Sequence, residues 1–201
     1  MTQIKRVPNI ENVITNINQE KEKINLAFVD CSGSIKYEDF QAFLSEILNF
    51  KNAFNSMGKP SEKFMIVFAD HSVKGEPIEV NEVNITQYMN GRFPFLMGGG
   101  SDLSNVIKQA TQLNFFKDKK INSLLCFTDL LDNPPKFKDL GLSKDTLIAY
   151  IAAPTTTKKY QEIKEKFTEE VKDYAKVVNI GEGVEVIVKQ NNNISTYKSK
   201  I

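Results

Sequence analysis

The chain carries a single histidine, His71, and only two cysteines, Cys31 and Cys126, in 201 residues. One histidine without a partner motif cannot build a Ser/His/Asp or Cys/His catalytic set, and His71 reads as a turn residue. Two thiols, one in a polar loop and one inside an apolar run, make no disulfide framework and read as reduced. No apolar run approaches the roughly 20 residues of a membrane helix. Met1 to Asn18 is polar and lacks the apolar core of a secretion signal. Charge of one sign is missing too: 26 basic residues face 25 acidic ones. That balance argues against an extended phosphate footprint, hence against nucleic acid as partner. There is no His-Glu-x-x-His, no Lys after a glycine-rich loop and no Asp-x-Asp pair. These absences point to a cytoplasmic chain that is not an enzyme. A chain of this length buries about 70% of its unfolded surface and needs no staples.

What is present is organised around Ile24-Asn25-Leu26-Ala27-Phe28-Val29-Asp30-Cys31-Ser32-Gly33-Ser34. A mostly apolar run rich in strand formers leads into an acid, two hydroxyls and a glycine, which reads as a buried strand feeding a polar loop. In an open α/β sheet, ligands bind beyond the carboxyl ends of strands. The Asp-x-Ser-x-Ser spacing sets oxygens on alternating residues, so a tight loop can turn Asp30, Ser32 and Ser34 toward one point. Hard oxygens without imidazole or thiolate favour Mg²⁺, Mn²⁺ or Ca²⁺ over zinc. The same residues can instead cap the helix that follows.

Asp30-x-Ser32-x-Ser34 resembles the first segment of the metal-ion-dependent adhesion site of von Willebrand factor A domains. Two further segments of that site have counterparts in the right order: Gly98-Gly99-Gly100-Ser101-Asp102 before a helical pattern, and Thr128-Asp129 after the strand-like Leu124-Leu125-Cys126-Phe127. The resemblance spans roughly residues 24–180 and implies a three-layer, Rossmann-like, doubly wound α/β fold with a mostly parallel sheet and one antiparallel edge strand. It implies a divalent cation, Mg²⁺ first, held by Ser32, Ser34 and Ser101, with Asp30 and Asp129 acting through water or hydrogen bonds. Ser101 stands where the family has threonine; it keeps the hydroxyl and loses the methyl that restricts the rotamer. Asp102 reads as a helix cap, and Asp70 either supports the site or closes a turn. Leu130 stands where many relatives have glycine, giving the loop an apolar bulk that either packs inward or faces a partner.

The function implied by the resemblance is an intracellular interaction module that coordinates an acidic residue of a protein partner through the metal. A MoxR-type AAA+ ATPase and a phage protein are the partner classes it brings to mind, since the compact form is similar to bacterial and phage members. An Asn- and Lys-rich composition suits an AT-rich genome such as a bacteriophage's, and for a phage-encoded chain the location is the host cytoplasm. Two other classes stay open: a metal-assisted enzyme using the glycine loop to cradle phosphate, and a metal-free structural or RNA-binding domain.

Along the chain, residues 1–23 read as a polar extension or a short helix, 24–180 as the domain, and 181–201 as an extension that is a hairpin or a loose tail. Tyr37, Phe40, Phe43, Leu44, Ile47, Leu48 and Phe54 predict a long amphipathic helix that stops near Met57-Gly58-Lys59-Pro60. Phe64 to Ala69 and Val73 to Val80 predict a hairpin, and Val83 to Met89 a short helix. Beyond Asp102 a helix, a strand over Ile121 to Thr128, a strand over Thr146 to Ile151, a helix around Tyr160 to Val171 and a strand over Ala175 to Ile180 complete the alternation.

Overall fold

A computed structural model describes residues 21–56, 62–91, 100, 102–153, 158–180, 185–190 and 193–198. Eight strands and four α-helices occur among them: β1 Glu22–Asp30, α1 Tyr37–Ser56, β2 Lys63–Ala69, β3 Val73–Glu79, α2 Glu82–Met89, α3 Leu103–Thr111, β4 Lys119–Thr128, β5 Leu147–Ala152, α4 Lys158–Val171, β6 Lys176–Asn179, β7 Glu185–Gln190 and β8 Asn193–Lys198. The first six strands form one sheet in the order β3-β2-β1-β4-β5-β6. Every pairing in it is parallel except β2 with β3. This is the mostly parallel sheet expected from the strand and helix alternation, with the doubly wound order and the antiparallel edge that the resemblance implied.

The central strands are buried on both faces, which is why β1 and β4 read as mostly apolar runs. Their buried polar pair is satisfied across the strands, Ser123 Oγ donating to Asn25 Oδ1 at 2.7 Å. Ile24, Leu26 and Phe28 of β1 pack with Val106, Ile107 and Ala110 of α3 in one core cluster. Ala27 and Val29, on the opposite face, pack with α1 through Phe40, Phe43, Leu44 and Ile47. The three- and four-residue spacing of those α1 residues is what sets a 20-residue helix flat against the sheet. On this face Phe127 meets Phe43 and Phe50 edge-on, at ring-centroid distances of 5.6 and 6.4 Å.

The sheet starts earlier than its apolar pattern does. β1 begins at Glu22, inside the stretch read as an extension, and β4 at Lys119, two residues before the strand expected from Ile121. Charged residues pair across the strands there: Glu22 lies opposite Lys119 in the ladder, and its carboxylate reaches Lys63 of β2 at 2.8 Å and Lys119 at 3.7 Å. Opposite charges on neighbouring strands support pairing that hydrophobic periodicity does not reveal.

β3 is an edge strand containing Gly75 at φ +71° and Pro77, and its register against β2 shifts between Ile66 and Phe68. β7 and β8 form a separate antiparallel hairpin from Glu185↔Lys198 to Gln190↔Asn193, so the C-terminal extension is a hairpin. The N-terminal reading up to Glu20, the helix stop at 57–60 and the loop 92–99 lie outside the described residues.

Phe127 is fully buried between two helical aromatics. Phe127→Ala is expected to cost about 3–5 kcal/mol of unfolding free energy, read as a lower urea midpoint at unchanged slope.

Candidate metal centre

The strand order reverses between β1 and β4: from β1 the chain winds toward β2, and from β4 toward β5. Loops leaving the carboxyl ends of two such strands diverge and open a crevice, the usual ligand position in this architecture. Asp30 ends β1 and Asp129 follows β4, so two acids meet at this point.

Hydrogen bonds fix the first loop. Asp30 Oδ1 accepts from the Ser32 amide at 2.8 Å, and Asp30 Oδ2 accepts from Thr128 Oγ1 at 2.9 Å. Cys31 N donates to Ala69 O at 2.7 Å, tying the loop to β2. This brings Ser32 Oγ and Ser34 Oγ within 3.1 Å of each other. In the β4 loop the Leu130 amide donates to Thr128 Oγ1 at 3.2 Å and the Leu131 amide to Asp129 Oδ1 at 3.1 Å. The second carboxylate oxygen of Asp129 is buried and has no hydrogen-bond partner among the described residues. Behind it, Ala153 N donates to Thr128 O at 3.0 Å, and Tyr160 Oη donates to Ala153 O at 3.3 Å.

Among the described residues no ion pair with a lysine, arginine or histidine is made by Asp30 or Asp129, while Lys74 at the start of β3 is taken by Asp70. Burial, opposed by the Ser32 and Thr128 hydrogen bonds and reinforced by the charge of Asp129, pushes Asp30 up to about 6. Burial and then Asp129 and Asp39 push the Tyr160 hydroxyl up to about 12, so it stays neutral. Burial, then the charge of Asp30, pushes the Cys31 thiol well above its usual range, so no thiolate competes as a soft ligand. Among the described residues no group of three or more His, Cys, Asp or Glu side chains is placed to hold a metal. The donors on offer are two carboxylates and neutral hydroxyls, a set that fits a hard divalent cation and suits zinc poorly.

The expected residues separate into three groups. Asp30, Ser32, Ser34 and Asp129 meet at the switch point. Asp102 is the N-cap of α3, accepting from Asn105 N at 3.2 Å, and Asp70 closes the β2–β3 turn. Burial acts to raise Asp70, but Lys74 at 2.8 Å, with the Ser72 amide and His71, holds its carboxyl below the usual range. Ser101 lies outside the described residues.

Leu130 packs inward, fully buried, while Leu131 is the exposed residue. Leu130 adopts φ +60°, the left-handed region that glycine enters freely and leucine at a cost of roughly 1 kcal/mol. Burying its side chain returns about 1.5–3 kcal/mol, which keeps leucine viable there.

Two contributors escaped the sequence reading. Thr128 was visible only as part of a motif, yet it locks Asp30 from the neighbouring strand. Asp132 accepts from the Leu103 amide at 3.3 Å, joining the β4 loop to the start of α3. Its one signal was an acid three residues beyond Asp129.

No family model matches the chain, and no curated protein matches it. Solved structures do resemble it. A von Willebrand factor type A protein from Catenulispora acidiphila is 14% identical over 80% of this chain and 39% of that one, with TM-score 0.46. BatB from Bacteroides thetaiotaomicron is 9% identical over 79% of this chain and 89% of its own, with TM-score 0.46. The pilus adhesin SpaC from Lactobacillus rhamnosus GG, in its open conformation, is 13% identical over 80% of this chain and 28% of that one, with TM-score 0.49. This chain therefore spans well under half the length of the first and the third. The strand order and the antiparallel edge strand described above define the fold on their own, as a doubly wound, mostly parallel α/β sheet. Both Asp30-x-Ser32-x-Ser34 and Thr128-Asp129 stand at carboxyl ends of its central strands.

The buried Asp30 gives a pH test. Its folded value of about 6 exceeds the unfolded value of roughly 3.9, so the folded protein holds a proton that the unfolded chain has released. Metal-free stability is therefore expected to fall as pH rises from about 4 to about 6, by about 3 kcal/mol. Denaturation in chelator across that range reads it out, and Asp30→Asn should flatten the slope; an unchanged slope would contradict the burial of this charge.

Proposed function

We propose that this protein is an interaction module that binds a divalent cation, Mg²⁺ first, at the β1–β4 switch point and through it takes a carboxylate from a partner protein. The observation that carries the reading is the buried Asp129 oxygen without a described hydrogen-bond partner, set beside a second buried acid and a pair of close hydroxyls. Two buried carboxylates facing each other without a cation are costly, and a divalent ion offsets both.

Ser32 and Ser34, joined by Ser101, would hold the ion through neutral oxygens. Asp30, with one hydrogen bond on each carboxylate oxygen, keeps the serine loop in register and supplies charge. Asp129 supplies the second charge. An ion held by few formal charges retains affinity for a further anionic oxygen, and that is the chemistry it would add when bound. Binding without turnover is part of the proposal: the described residues around the pole are assigned to supplying oxygens and charge, and none of them is given the role of a base.

Calorimetric titration of chelator-treated protein with Mg²⁺, Mn²⁺ and Ca²⁺ tests this beside Asp30→Ala. One saturable site is expected, lost in the variant. At an ion concentration of about 100 Kd the gain of about 2.7 kcal/mol should raise Tm by roughly 5–10 °C. Absence of ion binding in the wild-type protein would remove the metal from the proposal.

A further inference from the structure

At the opposite pole, where β4 begins and α3 ends, lies a cleft of about 740 Å³. Among the described residues four lysines line it, Lys21, Lys117, Lys119 and Lys120, and no acidic residue does. Glu22, the nearest ladder carboxylate, is divided between Lys63 at 2.8 Å and Lys119 at 3.7 Å. Asp118 in the same turn, and Asp145 beyond the opposite wall, are exposed and outside the lining. Lys119 also sits 4.6 Å over the Phe115 ring, and Lys21 Nζ reaches the Lys117 carbonyl at 3.4 Å. Neither contact neutralises the ammonium charge, and among the described residues Lys117 and Lys120 have no ion-pair partner.

The walls are pinned. Thr111 Oγ1 donates to Leu140 O at 2.9 Å, holding the end of α3 to the segment before Gly141. Thr146 Oγ1 donates to Ile121 O at 2.9 Å, holding the opposite side to β4. Between the lysines, Leu113 and Leu142 add apolar surface, and Gln112 and Asn114 add side-chain amides.

We propose that this cleft binds a phosphate-bearing organic anion of nucleotide size. Ammonium groups act as rotatable point charges suited to phosphate, whereas carboxylate recognition draws on the planar fork of arginine, which is absent from the lining. The volume exceeds that of a lone phosphate and falls within the range of sites for small organic ligands. The apolar and amide groups give the remainder of such a molecule a surface to rest on. The site is independent of the metal pole.

The test is an amide NMR titration of the whole chain in chelator and low salt, with ATP in one arm and inorganic tripolyphosphate in the other. ATP is expected to shift the signals of residues 112–121 and 141–143 saturably, and more tightly than tripolyphosphate does. A Lys117→Gln, Lys120→Gln double variant should weaken ATP by at least about tenfold, the loss of a charge-assisted contact, while its Mg²⁺ titration matches the wild type. Shifts that do not saturate, or that survive the double variant unchanged, would overturn the site. Equal affinity for tripolyphosphate would overturn the organic part of the assignment.

Discussion

The hydrogen bond from Thr128 Oγ1 to Asp30 Oδ2 joins the two central strands at the point where they stop pairing and their loops part. Everything distinctive about that pole depends on it. Asp30 is buried and holds the Ser32 amide with its other oxygen, so the serine loop inherits its position from a threonine 98 residues away. Without the strand pairing that registers Val29 with Phe127, neither side chain would reach the other. The geometry of the polar loop is thus a product of sheet register, and the register is a product of the apolar pattern.

That dependence explains how much the sequence disclosed. The central strands were legible because a strand buried on both faces is largely apolar, and the long helix because its phenylalanines recur at helical steps. The meeting of Asp30 with Asp129 was an expectation of the family resemblance, carried by the Asp-x-Ser-x-Ser and Thr-Asp motifs and by no periodic pattern. Less legible was whatever rests on polar pairing across distance: the charged starts of β1 and β4, the bridge from Asp132 to α3, and the left-handed backbone at Leu130. None of these leaves a periodic trace. Asp70 shows the reverse problem, since an acid closing a strand looks alike in sequence whether it serves a site or a turn.

The molecule places opposite electrostatic demands at its two ends. At the carboxyl ends of β1 and β4, buried acids lack compensating cations among the described residues; at the amino end of β4, ammonium groups outnumber acids. A net charge of +1 conceals this separation, because composition sums over the poles that the topology holds apart. Parallel strands make such separation easy, since every βα loop leaves on one side of the sheet and every αβ loop returns on the other.

The two borders of the main sheet complete the picture. On one side, β3 carries Pro77, which has no amide hydrogen to donate, and Gly75 in a left-handed conformation where the ladder loses register. On the other, β6 is only four residues long. An unpaired strand is a template for addition of a foreign chain, and a proline, a bulge or brevity each spoils that template. A main sheet bordered this way resists runaway strand-by-strand stacking with its own copies at both of its flanks.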